Sequence, residues 1–249
     1  MQICVLSSGS KGNCTYLEIN NHKFLIDIGN NFLYVSKKLK EINIDIESIE
    51  GIFITHGHKD HVAGLKTTIK KINPKIYLTK KIKYDISEEI NNYELINNEI
   101  KLDNIIISTI SLSHDVTECV GYVFEFNNQD LVYITDTGYI NEKYNKILSN
   151  RNVYIIESNH DIDLLLNSSK PYFLKARILG DEGHISNEDC GFYLNKFIGD
   201  RTKNIILAHL SEENNDKNLA LNTVINKINY KNNIIAAQQN ERTEVIEVW

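Results

Sequence analysis

Residues 55–61 read Thr55-His56-Gly57-His58-Lys59-Asp60-His61, directly after the apolar run Gly51-Ile52-Phe53-Ile54. In extended backbone, side chains two positions apart share a side, so His56 and His58 present their imidazoles to one place. Gly57 keeps the turn between them free of a side chain. Asp60 and His61 fall at the start of a helix expected over 61–72 and face back from another direction. A chain that reverses between two ligand pairs can hold two cations. Four ligand-type residues this close need partners if they are buried. The alternative is an exposed histidine-rich loop with no metal; a strand before and a helix after are the context a metal motif requires.

Working outward, apolar runs end again and again in a ligand-type residue: Asp27, His56, His114, Asp136, Glu157 and His209. A strand end is held by a rigid scaffold yet lies where a site can form. One such residue would be an ordinary loop hydrogen bonder; six point to a shared pocket. Strands are expected over 2–7, 14–20, 23–28, 51–55, 104–112, 119–126, 131–135, 153–157, 204–208, 233–237 and 244–248. Helices are expected over 32–41, 61–72, 80–91, 141–149, 161–179 in pieces, 187–198 and 215–229, the sixth starting on Ser186 with Asp189 three residues on. Each half offers strands first and helices after, with no linker between. That pattern suits an α/β (α+β) fold: one αββα four-layer sandwich over 1–249, two sheets face to face with helices outside.

The bulk properties exclude several classes. Charged residues are 24% and hydrophobic residues 42%, a globular balance. The formal net charge of -6 gives no whole-molecule attraction to nucleic acid or an anionic membrane. Seven lysines (66, 70, 71, 75, 80, 81 and 83) nevertheless lie between Val62 and Tyr84 without an acid, either a solvated helix face or an anion-attracting rim. Cys4, Cys14, Cys119 and Cys190 form no C-x-x-C pair and are expected as buried free thiols. The opening MQICVLSSGSKG reads as a first strand rather than an export signal, and no run has the length of a membrane span. A cytoplasmic location with no membrane partner is expected.

The H-x-H-x-D-H motif after a strand resembles the metallo-β-lactamase superfamily, over the whole chain. That family's order, a strand ending in D-x-G, the motif, a lone His, a lone Asp and a final His, falls on Asp27-Ile28-Gly29, 56–61, His114, Asp136 and His209. The resemblance implies that His56, His58 and His114 hold one metal, Asp60, His61 and His209 the other, and that Asp136 bridges them. Further stretches resemble the YycJ/WalJ (VicX) branch: Ser7–Cys14, Thr135–Gly138, Glu157–Asp161, Arg177–Gly180 with Gly183–Asn187, and His209–Asn215. Ile185 stands where that branch usually has Leu, a conservative change. The branch implies 5′-to-3′ exonuclease activity on double-stranded DNA.

Ligands without thiolate suit Zn²⁺, Mn²⁺ or Fe²⁺. Two ions roughly 3.5–4 Å apart would turn a bridging water into a hydroxide nucleophile near neutral pH. With Asp60, Asp136 and that hydroxide the centre would carry a formal charge of about +1, attractive to phosphate. Asp60 and His184 are the residues expected to act in the chemistry. His184 would contact phosphate or protonate the leaving oxygen, as an extra His does in related phosphodiesterases; on local grounds it is equally a helix-capping residue. Asn159 and His160 are candidate substrate contacts or loop hydrogen bonders. The Ser10–Asn13 loop, with Asn13, is a candidate phosphate cradle or a plain turn. Asp27 is expected to orient a ligand His from behind. Arg177 is a phosphate clamp or a surface ion pair. A thioesterase of the glyoxalase II kind or a lactonase would share the seven ligands and is the rival hydrolase. A binding protein that kept the fold would show degenerate ligands.

Overall fold

The computed structural model describes residues 1–228, 230 and 233–249. Six strands lie side by side in chain order: β1 (Gln2–Ser7), β2 (Cys14–Ile19), β3 (His22–Ile26), β4 (Gly51–Phe53), β5 (Lys75–Leu78) and β6 (Tyr93–Leu95). A second sheet runs β7 (Glu99–Leu102), β8 (Ile105–Leu112), β9 (Cys119–Phe126), β10 (Gln129–Ile134), β11 (Val153–Glu157), β12 (Asn204–Ala208) and β13 (Asn233–Ala236). The chain ends by pairing β14 (Ile246–Glu247) onto β1. Both sheets follow one plan, antiparallel pairings first and then parallel, with the change at β3 and at β10.

Period-2 alternation explains the layers. In β10, Leu131 and Tyr133 join the core between the sheets, whereas Val132 and Ile134 face the helices outside. In β11, Val153 and Ile155 face inward and Tyr154 and Ile156 outward. The outer face of the second sheet packs on Cys190, Leu194 and Phe197, and on Ala220 and Val224. These belong to helices α8 (Asn187–Phe197) and α9 (Lys217–Lys227), preceded in the chain by α1 (Phe32–Lys40), α2 (Lys59–Val62), α3 (Leu65–Ile72), α4 (Lys80–Asp85), α5 (Asn145–Leu148), α6 (Ile162–Asn167) and α7 (Tyr172–Leu179). Outside the first sheet, Val35, Leu39, Leu65 and Ile82 are buried from α1, α3 and α4. The αββα sandwich is therefore the architecture. All four cysteines are free and buried. Among the described residues, no helix is long and apolar enough to cross a membrane.

The sheets are tied together directly beneath the motif. Phe53 of β4 stacks on Tyr77 at 4.6 Å and meets Phe124 edge-on at 5.0 Å across the sandwich. The Tyr122 hydroxyl donates to Ile54 O at 2.5 Å, and Val120 N donates to Thr55 O at 3.0 Å. Both carbonyls lie just before His56, so one sheet fixes the loop carried by the other.

Several element boundaries differ from expectation. The 61–72 helix begins at Lys59 and is split into α2 and α3 at Gly64, which lies so close to Asn30 O that a Cβ would sit 2.1 Å away. The 80–91 helix stops at Asp85, and the 161–179 pieces are α6 and α7, parted by Pro171. The 215–229 helix spans Lys217–Lys227; its expected last residue, Asn229, lies outside the described residues. The α8 start holds: Ser186 and Asp189 form a reciprocal capping box. β5, β6 and β7 were not expected. Of the seven lysines, Lys75 and Lys81 pair with Glu94 and Glu118, while Lys71 and Lys83 lie over the Phe32 and Tyr93 rings, as a solvated face would.

Candidate metal centre

The carboxyl ends of the parallel strands in both sheets converge, as in other open α/β sheets. Asp27 follows β3, the H-x-H loop follows β4, Asp136 follows β10, Glu157 ends β11 and His209 follows β12. Asp27, Asp136 and His209 adopt left-handed backbone with φ of 58°, 59° and 54°. That conformation turns each side chain off its strand and is uncommon for a residue with a Cβ. The glycine in Asp27-Ile28-Gly29 has a steric reason, since a Cβ there would lie 1.6 Å from Asp60 O. Ile28 N donates to His61 O and Asn13 N to Asp60 O, each at 2.8 Å, so the motif's second half is clamped by backbone.

The seven expected ligands are brought together. His56, His58 and His114 form one group and Asp60, His61 and His209 another, with ligand atoms in each lying within 4.8 Å of one another. Asp136 stands between the groups: Oδ2 is 3.2 Å from His61 Nε2, and Oδ1 is 3.9 Å from His114 Nε2. His61 Nε2 and His209 Nε2 lie 3.5 and 3.7 Å from Asp60 Oδ2. Donors sharing a four-coordinate ion at 2.0–2.2 Å stand roughly 3.3–3.6 Å apart, so these spacings suit a shared cation.

Each of the four buried ligand imidazoles, His56, His61, His114 and His209, has its other nitrogen anchored, which fixes ring orientation. His61 Nδ1 is 2.8 Å from Asp27 Oδ2. His56 Nδ1 is 3.0 Å from Thr55 Oγ1, whose own hydroxyl donates to Asp27 Oδ2 at 2.8 Å. His114 Nδ1 faces Gly183 O at 3.3 Å, and His209 Nδ1 faces Glu157 Oε1 at 2.8 Å. The Nε2 atoms of His56 and His209 and Oδ2 of Asp136 are buried without a hydrogen-bond partner. Buried polar atoms are rarely left so. A divalent cation satisfies all three, and oxygen and imidazole donors suit one.

Glu157, which the sequence reading assigned to no site role, is the hub behind His184 and His209. Its Oε1 is 2.8 Å from both His184 Nδ1 and His209 Nδ1, and its Oε2 accepts from Thr137 N at 3.0 Å and Ile185 N at 3.3 Å. Burial pushes this carboxyl up, but His184 and His209 outweigh it and bring the pKa down to about 2. Its position at the end of VYII-Glu157 was the available signal. In return, burial lowers the His184 pKa while the Glu157 carboxylate more than offsets that, leaving it raised. His184 lines the two clefts that open on the centre, beside His114 and Arg177 in one and beside His209 and Asn159 in the other.

The remaining candidates are placed as follows. Asn159 lines a cleft, and its Nδ2 donates to His209 O at 2.8 Å. His160 is 1% exposed and belongs to neither cleft wall; its backbone bridges to Ser186. Asn13 is buried, its Oδ1 accepting from Gly9 N at 2.8 Å and its Nδ2 lying 3.0 Å from His61 Nε2 and 3.4 Å from Asp60 Oδ2. It braces the motif rather than facing a substrate. The amides of Gly9, Lys11, Gly12 and Asn13 are taken up inside the protein, so those four are not free for a phosphate. Arg177 is ion-paired with Asp115.

Residues 22–203 match the family model described as the beta-lactamase superfamily domain. Exodeoxyribonuclease YycJ of Bacillus anthracis is 34% identical over 227 residues, covering 88% of this chain and 86% of that protein. Exodeoxyribonuclease WalJ of Streptococcus pneumoniae is 36% identical over 235 residues, covering 90% and 87%. Among solved structures, the metallo-beta-lactamase fold protein YhfI from Bacillus subtilis has the same fold, with a TM-score of 0.73 at 13% identity over 97% of this chain and 98% of that one. The chain thus belongs to the metallo-β-lactamase superfamily, in the branch of the YycJ and WalJ exodeoxyribonucleases.

Proposed function

We propose that this chain is a metal-dependent phosphodiesterase of the cytoplasm, a 5′-to-3′ exonuclease on DNA, that holds two divalent ions (Zn²⁺ or Mn²⁺, with Fe²⁺ acceptable to the same donors) in one domain, 1–249. The observation that carries the reading is the pair of ligand groups, each with unpaired buried donors, joined by Asp136. The names of relatives more than a third identical over most of the chain support DNA as the substrate.

His56, His58 and His114 would hold one ion, Asp60, His61 and His209 the other, and Asp136 both. Ions so held supply Lewis acidity toward a phosphoryl oxygen and an activated water. The chain's own residues supply the rest. Glu157 keeps His184 oriented, so that its imidazole at the cleft can give a proton to the departing sugar oxygen. Asn159 fixes the His209 backbone beside the cleft.

The test is degradation of 5′-labelled duplex and single-stranded DNA with added Mn²⁺, beside a His56→Ala/His58→Ala control. Release of labelled mononucleotide by the wild type alone supports the reading. Turnover of S-lactoylglutathione without any cleavage of DNA or bis-p-nitrophenyl phosphate would replace it with the thioesterase reading.

A further inference from the structure

Asp115 has no part in the proposed mechanism, yet its geometry is unlike that of a surface acid. Its side chain is 22% exposed, and one oxygen, Oδ1, is buried with no hydrogen-bond partner. That oxygen lies 3.4 Å from His114 Nε2 and 3.8 Å from His58 Nε2, the two atoms offered to the first ion. The other oxygen, Oδ2, accepts from Arg177 Nε at 2.6 Å and from a terminal nitrogen of the same guanidinium. Arg177 therefore decides which oxygen points inward.

A buried carboxylate oxygen held beside two imidazole nitrogens without a hydrogen-bond partner is unfavourable unless a cation lies among them. Its distance to His114 Nε2 falls within the separation of roughly 3.3–3.6 Å expected for donors sharing a four-coordinate ion, and its distance to His58 Nε2 lies just above it. Asp115 and Arg177 also line the cleft of about 210 Å³ that opens beside His114 and His184, so the position is reachable from solvent. We propose that Asp115 is an additional donor to the ion held by His56, His58 and His114, and that Arg177 is the positioning residue that aims it. The inference rests on the metal-centre reading above.

Competition titration with Zn²⁺ and visible absorption of the Co²⁺-loaded full chain test it, on wild type, Asp115→Asn, Asp115→Ala, Arg177→Gln and the Asp115→Ala/Arg177→Gln double variant. Wild type is expected to take up two ions. Asp115→Ala should weaken one of them on the order of 10- to 100-fold and change the Co²⁺ bands, with the near-isosteric Asp115→Asn carrying the test should the Ala variant fail to fold. Arg177→Gln should weaken the same ion less and add nothing in the double variant, because both act through one contact. Wild-type affinity and an unaltered Co²⁺ spectrum in folded Asp115→Asn and Asp115→Ala overturn the proposal alone. A wild type that binds no divalent ion overturns the metal-centre reading with it.

Discussion

Four buried histidines of the centre, His56, His114, His61 and His209, fall into two protonation classes, set by what surrounds each ring. Burial, with the neighbouring His61 charge, drives the His56 pKa well down, and burial also lowers that of His114. Burial acts the same way on His61 and His209, but Asp136 with Asp27 raises His61 well above its ordinary value, and Asp136 with Asp60 and Glu157 carries His209 up to about 10. Near neutral pH the ion-free protein therefore keeps His61 and His209 protonated and His56 and His114 neutral. Metal needs neutral imidazole. Loading the second group should release the protons held on His61 and His209 and tighten as pH rises, because metal displaces them. Calorimetry in buffers of different ionisation enthalpy checks this; heats independent of buffer for both ions would contradict it. At the same scale, His184→Ala should retain both ions by elemental analysis while kcat falls about 10²- to 10⁴-fold, the usual worth of one general acid. Lost metal, or unchanged kcat, would remove His184 from the chemistry.

At the scale of elements, the site depends on how closely the strand-end loops approach one another. Gly29 N donates to Asn13 O and Asn13 N to Asp60 O, each at 2.8 Å, so the loops after β1, β3 and β4 are laced through their backbones. A Cβ at Gly29 would overlap Asp60 O, and backbone cannot yield as a flexible side chain can. Gly29→Ala should cost about 3 kcal/mol or more and shift Asp60 and His61, weakening the second ion more than the first. Urea denaturation with metal titration reads both effects, and a stable variant with unchanged affinities would show that the loop tolerates displacement.

For the whole molecule, two sheets of one plan face each other and lend their parallel-strand ends to a shared centre. The donors are brought together only in the folded chain, so the centre should bind metal far better folded than unfolded. At ion concentrations a hundredfold above Kd, each ion should add about 2.7 kcal/mol, or roughly 5–10 °C in Tm for a chain of this size. Differential scanning calorimetry before and after chelation measures it. Equal Tm values would mean that the cluster binds no ion tightly.

By itself the sequence determined the seven candidate ligands, because they sit inside one short motif or at the ends of apolar runs, where local periodicity is readable. Asp27, placed behind a ligand histidine, was legible for the same reason, and so was the layered α/β architecture. Only the tertiary structure decided that Glu157 serves both His184 and His209, that Asp115 turns toward His58 and His114, and that His160 and Asn13 are buried. Those contacts join segments far apart in the chain, and nothing in either segment announces its partner. The short strands β6 and β7 carry little readable pattern for a related reason. Tyr93–Leu95 and Glu99–Leu102 are half exposed at sheet edges, and their extended form is imposed by the neighbouring strand rather than by any pattern of their own.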